Sequence, residues 1–529
     1  MFNRIRASVT LRKMLALLTA LTTALGPSVA PAFAASRPAS KKMPIQHIVV
    51  IFNENISFDH YFGTYPVALN PKGEPHFHAK PGTPTVNGLT NALLTFNPNL
   101  NPANGGAASN PFRLDRSQAV TTDQDHDYTA EQQAFDSGLM DLFPSDTGGG
   151  NSEEMGYFDG NTATGLWNYA QAYSMSDNSY GTTFGPSTPG VLNLVSGQTN
   201  GVTSTLNGTS DEVNGGSDGS LTMIGDADPI GDVCSNSTRD QGQMGGTNIG
   251  NLLTAAGVTW GGFMGGFNLS TVNPNGTTGC SRSSTGLAGT TADYIPHHSL
   301  FGYYASTANP QHTRPKSISE IGNNGPANHQ YDIDDFFDAI KHGNFPAVNF
   351  LKAPAYQDGH AGYSDPIDEQ HFLVKVINFL QAQKDWDSTA VIIMYDDSDG
   401  WYDHQMGPIL NTSTGPADAL TGPQACGTAA TSLPGINSTN THALGRCGYG
   451  PRLPLLVVSP WSKENFVDHT VTDQTSIIHF IEDNWLGGQR IGQGSFDGIA
   501  SSIAQMFDFT QKRGNSRLLL DPNTGEPIR

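Results

Sequence analysis

Short apolar runs rich in branched residues, at 48–52, 258–263, 347–351, 390–395 and 453–458, constrain this chain more than any other feature. Each is too short for a buried helix and too continuously apolar for a strand with one face in water, so each reads as a strand covered on both sides. Helical patterns lie between them. One sets Phe372, Leu373, Val376, Ile377 and Leu380 on a common face, and another gathers Ile477, Ile478, Ile481 and Trp485 behind a cap at Thr472 or Asp473. Alternation of strand and helix predicts an α/β sandwich. Ligands of such sheets collect beyond the carboxyl ends of the strands, which directs attention to the polar residues closing each run.

The first residues read differently. Arg4, Arg6, Arg12 and Lys13 precede an apolar run at 14–25, and Ala32-Phe33-Ala34 offers the small residues of a cleavage site. Residues 1–34 therefore read as a secretion signal and 35–529 as the mature chain, secreted or periplasmic, with no stable membrane span expected. Length allows one large domain or two. With 27 basic and 48 acidic residues the formal charge is −21, a surface that repels nucleic acid and anionic lipid, so no nucleic-acid partner is expected. Four cysteines in an exported chain suit disulfides. Cys234 with Cys280 and Cys426 with Cys447 are the expected pairs, because each closes a loop rich in Gly, Ser, Thr and Asn; other connectivities remain open. Segments 197–290 and 405–450 share that composition and read as loop-rich insertions beside the site, the first with a single strand at 258–263.

Two acidic clusters close apolar runs: Asn53-Glu54-Asn55 after the first and Asp396-Asp397 after the fourth. Carboxylates converging on one sheet edge repel unless protons or a cation neutralise them, and a divalent metal with oxygen ligands is one solution. A solvated loop or helix cap is the plain alternative for either cluster alone. A third element is Phe184-Gly185-Pro186-Ser187-Thr188-Pro189-Gly190, followed by Val191, Leu192 and Leu194. Pro189 suits the first position of a helix, which puts Ser187 and Thr188 where backbone N–H groups and the helix dipole welcome an anion. A hydroxyl there either caps the helix or, beside a metal, becomes a nucleophile. His126, His298, His360 and His404 are candidate proton donors, each also readable as an ordinary structural histidine. The chain has no HExxH zinc helix, no phosphate-cradling GxxxxGK[ST] loop and no GxSxG elbow at Ser187.

The segment Ile48-Val49-Val50-Ile51-Phe52-Asn53-Glu54-Asn55, continuing through Ser57-Phe58-Asp59-His60-Tyr61-Phe62-Gly63-Thr64, closely resembles the opening motif of the bacterial phosphoesterase family of phospholipases C and acid phosphatases. The likeness continues at Gly185-Pro186-Ser187-Thr188-Pro189, at Tyr395-Asp396-Asp397 with Gly400-Trp401-Tyr402-Asp403-His404, and at 452–460, so it covers essentially the mature chain. It implies an alkaline phosphatase-like fold, a three-layer α/β/α sandwich whose central sheet is mainly parallel. By motif position it further implies that Glu54, Asn55, Asp396 and Asp397 hold one divalent metal ion together with Ser187, the nucleophile. His126, His298 and His360 would stand near the phosphate, with His297 competing for the place of His298. The sequence does not identify the ion: an oxygen-rich site suits calcium, magnesium or manganese, and a histidine from outside the motifs would favour iron or zinc. Gly190-Val191 departs from the Asn-Arg that many members carry there. That departure, a serine nucleophile and a chain stopping soon after Phe507 lean toward the acid phosphatase branch. Hydrolysis of phosphomonoesters is therefore the expected function. Phospholipase C action on phosphatidylcholine-type lipids is the alternative, and a non-catalytic surface-binding protein is the rival of another class.

Overall fold

The computed structural model describes residues 43–216, 220–420, 425–426, 433–437, 443–513 and 517–528, so the expected signal at 1–34 lies outside the described residues. An eight-stranded sheet forms the middle layer. Numbered along the chain, its strands are β1 (His47–Asn53), β2 (Ser174–Ser176), β3 (Trp260–Met264), β4 (Gln330–Asp332), β5 (Val348–Lys352), β6 (Thr389–Tyr395), β7 (Leu455–Val458) and β8 (Phe466–Asp468). Their order across the sheet is β4-β3-β5-β1-β6-β7-β2-β8, and neighbours are parallel except where β7 takes part. All five apolar runs read from the sequence became strands of this sheet.

Alternation along the strands builds the other two layers. Val49, Ile51, Val391, Ile393 and Leu456 face helices α2 (Thr164–Ala172), α4 (Ile333–Lys341) and α5 (Pro366–Ala382). Ile48, Val50, Phe52, Ala390, Ile392 and Val457 face the opposite way, onto α3 (Ser187–Ser196) and α6 (Thr475–Trp485). A further helix, α1 (Tyr128–Phe135), packs against Phe184, just ahead of α3. Each such branched side chain removed from water contributes about 1.5–3 kcal/mol, which is why continuous apolar runs end up between helices. The expected three-layer α/β/α arrangement is the one observed.

Two expectations need correction. Thr472 and Asp473 do not cap α6 directly, because they pair in extended form with Ser179 and Tyr180, leaving Gln474 as the cap residue. Asp473 still serves the helix end, accepting from the Thr475 N–H at 3.2 Å and its hydroxyl at 2.7 Å. The segment from 197 to 290 also holds more than one strand. Asn200–Leu206, Glu212–Asn214, Leu221–Met223, Asp228–Pro229 and Gln241–Met244 form a five-stranded sheet, and Ser283–Gly286 pairs with Gly289–Ala292. These strands are short and rich in Gly, Ser, Thr and Gln, so no apolar period announces them. Cys234 joins Cys280 and Cys426 joins Cys447. The second bridge packs beneath Phe184, whose N–H donates to the Cys447 carbonyl. No helix among the described residues is long and apolar enough to cross a membrane.

Candidate active site

The strand pleat decides which polar groups meet. Phe52, Phe350 and Met394 point into the α3 layer from the adjacent strands β1, β5 and β6. Two residues further on, alternation brings Glu54, Lys352 and Asp396 out on that same side, at the carboxyl ends of the strands. All three are buried. The turns beyond β1 and β6 then fold back, with Asn55 and Asp399 in the left-handed region at φ 58° and 54°. Asn and Asp take that conformation at lower cost than other side chains do. Asp396 Oδ1 joins the two turns by accepting from the N–H groups of Asn55 at 3.0 Å and Asp397 at 2.9 Å.

Helix α3 approaches from above. It begins at Ser187 with Pro186 as cap, two residues earlier than Pro189 at the first position had suggested; Pro189 still sits in the first turn, where a missing N–H costs nothing. Ser187 Oγ lies 3.0 Å from Glu54 Oε2 and 3.4 Å from Asp397 Oδ2. Thr188 turns away, its hydroxyl meeting Tyr303 and the His297 carbonyl, and its N–H donates to Asp226 Oδ1 at 2.9 Å. The anion that the Thr188 amide welcomes is thus the chain's own Asp226 carboxylate. Pro186 offers no capping side chain, and Asp226 supplies the acceptor instead.

Glycine at 190 is what lets α3 sit so close. A Cβ there would lie 2.6 Å from the Asp396 carbonyl oxygen and 2.7 Å from Asp396 Cβ, so helix and strand end would have to part. Gly190→Ala is expected to lose about 1–3 kcal/mol of stability, read by denaturant unfolding. An unchanged midpoint would show that the helix does not dock as described. Behind the loop, Glu131 of α1 accepts from the Gly185 N–H at 3.1 Å and the Ser398 hydroxyl at 2.7 Å, tying the approach to α3 to the turn after β6. On the opposite face Glu369 accepts from Asn53, Tyr61 and Tyr395 and holds the ends of β1 and β6 together.

Three histidines converge on these groups. His126 Nδ1 is held 2.8 Å from the Gln124 carbonyl, which leaves Nε2 facing Asn55 at 3.3 Å. His360 Nδ1 is held 2.6 Å from the Ala361 carbonyl, with Nε2 3.0 Å from the Asn55 amide nitrogen. His298 Nδ1 lies 3.3 Å from Glu54 Oε1, and its buried Nε2 has no hydrogen-bond partner among the described residues. His297 faces Asp228 and Asp226 instead, so His298 is the one of the pair that reaches Glu54. His404 joins Asp59 at 2.6 Å in a network with Arg452 and Asp403, not the Ser187 cluster. Burial opposes protonation of His126, but Asp397, Asp399 and Asp123 outweigh it and hold its pKa well above the usual histidine value. Burial pushes His298 well down, helped by the neighbouring His297, and lowers His360 to about 4, helped by His126. One imidazolium therefore stands beside two neutral rings.

The donor set fits a hard divalent cation. In addition to the Ser187 hydroxyl, Asn55 Oδ1 stands 2.8 Å from Glu54 Oε2 and 3.1 Å from Asp396 Oδ1, acceptor against acceptor with no proton available between them. Turning the amide over would convert these to hydrogen bonds; kept as it is, the amide nitrogen reaches His360 and Asp399 while the oxygens converge as a cation requires. Burial first and Asp396 second raise the Asp397 carboxyl well above its usual range, the response expected of carboxylates crowded in a buried cluster.

Every site residue expected from the sequence, namely Glu54, Asn55, Ser187, Asp396, Asp397, His126, His298 and His360, is brought into this one cluster. The sequence reading missed Lys352, Asp358, Asp399 and Glu131. Lys352 was findable, since it is the polar residue that closes the third run. Asp358 stands two residues before His360 and Asp399 two residues after Asp397, but nothing in their spacing says that they turn inward.

A model of the phosphoesterase family matches residues 45–486. A non-hemolytic phospholipase C of Pseudomonas aeruginosa is 26% identical over 456 residues, covering 83% of this chain and 54% of that protein. A non-hemolytic phospholipase C of Burkholderia pseudomallei is 25% identical over 85% of this chain and 56% of its own length. The hemolytic phospholipase C of Pseudomonas aeruginosa is 22% identical over 90% of this chain and 57% of that protein. The chain spans about half the length of these curated relatives. Among solved structures, murine ectonucleotide pyrophosphatase/phosphodiesterase 5 matches 65% of this chain and 95% of its own at 12% identity, with a TM-score of 0.30.

Proposed function

The chain belongs to the phosphoesterase family, and from that premise we propose that it hydrolyses phosphoester bonds, acting on phosphomonoesters at acid pH with Ser187 as nucleophile. The observation that carries this reading is the placing of Ser187 Oγ, 3.0 Å from Glu54 and 3.4 Å from Asp397, in a cluster that also gathers three histidine rings. Ser187 would attack phosphorus, its proton leaving toward Glu54 Oε2, and the ester oxygen would depart with the proton of His126. Water, deprotonated at His126 in the second half, would then hydrolyse the phosphoserine. His126 is assigned the proton because its Nδ1 is anchored on the Gln124 carbonyl and its Nε2 faces the cluster; His298 and His360 would orient the phosphoryl oxygens. Glu54, Asn55, Asp396, Asp397 and the Ser187 oxygen would hold one divalent ion, and such an ion supplies Lewis acidity that favours the serine alkoxide and neutralises phosphoryl charge.

Two features support action at acid pH. The surround of His126 is charged and polar, with Asp123, Asp127 and Asp226 sharing its field, and such a surround disfavours a dianionic substrate until protons are added. The fold itself is also built for acid. Burial lifts Glu131, Glu212 and Glu369 to about 7, Glu154 to about 8 and Glu482 to about 9. In the unfolded chain these groups titrate near 4.3. Between the folded and unfolded values the native state binds more protons, so stability rises as pH falls. Below about 6.5 this is opposed by His60 and His360, which burial holds at about 3 and about 4 and which must be charged in the unfolded chain. The thermal midpoint is therefore expected to be higher at pH 6 than at pH 8. A midpoint falling over that interval would contradict it.

The phospholipase C reading is favoured by the names of the relatives and uses the same centre. The two disulfides support an exported location. The deciding assay measures phosphate released from an aryl phosphomonoester and diacylglycerol released from phosphatidylcholine, before and after chelation, from acid to neutral pH. Monoester cleavage favoured in acid supports the proposal, and equal or better diacylglycerol release replaces it with the phospholipase. Neither product with any divalent ion would leave the surface-binding alternative.

A further inference from the structure

Among the described residues Lys352 is the one lysine or arginine paired with these carboxylates, and it is almost wholly buried at the end of β5. Its Nζ contacts Glu54 Oε1 and lies 3.2 Å from Asp396 Oδ2. Its stem crosses the Phe52 ring, with Nζ 4.9 Å from the centroid. The ammonium also acts on Asp358, opposing the upward push that burial gives that carboxyl. Both ligand carboxylates are consequently divided. Glu54 turns Oε2 toward Ser187 and Oε1 toward Lys352; Asp396 turns Oδ1 toward the Asn55 side and Oδ2 toward Lys352. The second side, framed by Glu54 Oε1, Asp396 Oδ2, Asp358 and His298, has the oxygen and imidazole donors of a cation site in its own right. The chain has placed its own ammonium there.

We propose that Lys352 is a positioning residue, a resident cation that occupies the side of Glu54 and Asp396 facing Asp358 and His298 and keeps a divalent ion out of it. Sheet geometry makes this placement inevitable: alternation sends Lys352 to the same side as Glu54 and Asp396 from the strand next to β1. Neutralising two buried carboxylates permanently fixes Glu54 and Asp396 in the rotamers that present their other oxygens to Ser187 and Asn55, which makes Lys352 a positioning residue. A second ion would have to displace it, at the cost of leaving a buried ammonium without partners.

The inference rests on the reading of Glu54 and Asp396 as ligands, and its test does not depend on turnover. Apo-protein is loaded with excess Mn2+, desalted, and assayed for manganese per chain by elemental analysis and for spin coupling by electron paramagnetic resonance. Wild type is expected to hold one uncoupled ion per chain, Lys352→Arg likewise, and Lys352→Gln two ions with a coupled spectrum. A folded Lys352→Gln protein that still takes one ion overturns the proposal. Should that variant not fold, Lys352→Met serves the same comparison, and one ion per folded chain there, or two coupled ions in wild type, overturns the proposal. If wild type binds no ion, the ligand reading beneath the proposal falls with it, whereas failure by stoichiometry leaves the phosphoesterase reading standing.

Discussion

Ser187→Ala is expected to keep its fold and lose turnover of an aryl phosphomonoester by roughly 10³-fold or more, because the group that bonds to phosphorus is gone and no neighbour can replace it. Thr188, the obvious substitute, has its hydroxyl engaged by Tyr303 and the His297 carbonyl and its amide by Asp226. Thr188→Ala should accordingly retain most of the activity. The substitution at 187 removes one buried oxygen from a first-turn position where alanine is a good helix former, so unfolding should shift little. Rate measurements on both variants, with rapid-quench mass analysis of wild type for a phosphoryl group on Ser187, separate nucleophile from bystander. A Ser187→Ala rate within tenfold of wild type would remove Ser187 from the mechanism.

Much of this centre could be read from the chain because its acidic and amide residues follow apolar strands directly. Where a run such as 48–52 or 390–395 must be a buried parallel strand, the next residues emerge at the carboxyl edge, and Glu54, Asn55, Asp396 and Asp397 were located on that ground. Strand order was not available in the same way. That β5 lies beside β1, and so carries Lys352 to Glu54, depends on a crossover from Asn53 to Val348 that no local pattern encodes. The second sheet between 200 and 244 escaped for another reason: its strands are held by backbone pairing over polar side chains, and periodicity registers only apolar burial. Helix starts were misplaced at α3 and α6 because local cap signals yielded to tertiary partners, Asp226 at one and the pairing with Ser179 and Tyr180 at the other.

Asp397→Asn should raise the divalent ion concentration needed for half-maximal activity by more than about 10²-fold. Loss of groups that merely support a ligand already costs about 10–100-fold in affinity, and Asp397 contributes charge and an oxygen 3.4 Å from Ser187 Oγ. The variant keeps a side chain that can accept from the Asp399 N–H, as Asp397 Oδ1 does at 2.8 Å, so the turn after β6 should survive. Burial first, and Asp396 second, push the Asp397 carboxyl up, so an ion binding here must displace a proton. Wild-type affinity should therefore weaken as pH falls, and the variant's should respond less. Titration of chelated wild type and variant with the restoring ion, at pH 5 and pH 7, measures both. Excess ion should partly restore the variant if ligation is the whole role of Asp397. Superimposable curves for the two proteins would exclude it from the metal centre and leave Glu54, Asn55 and Asp396 to hold the ion without it.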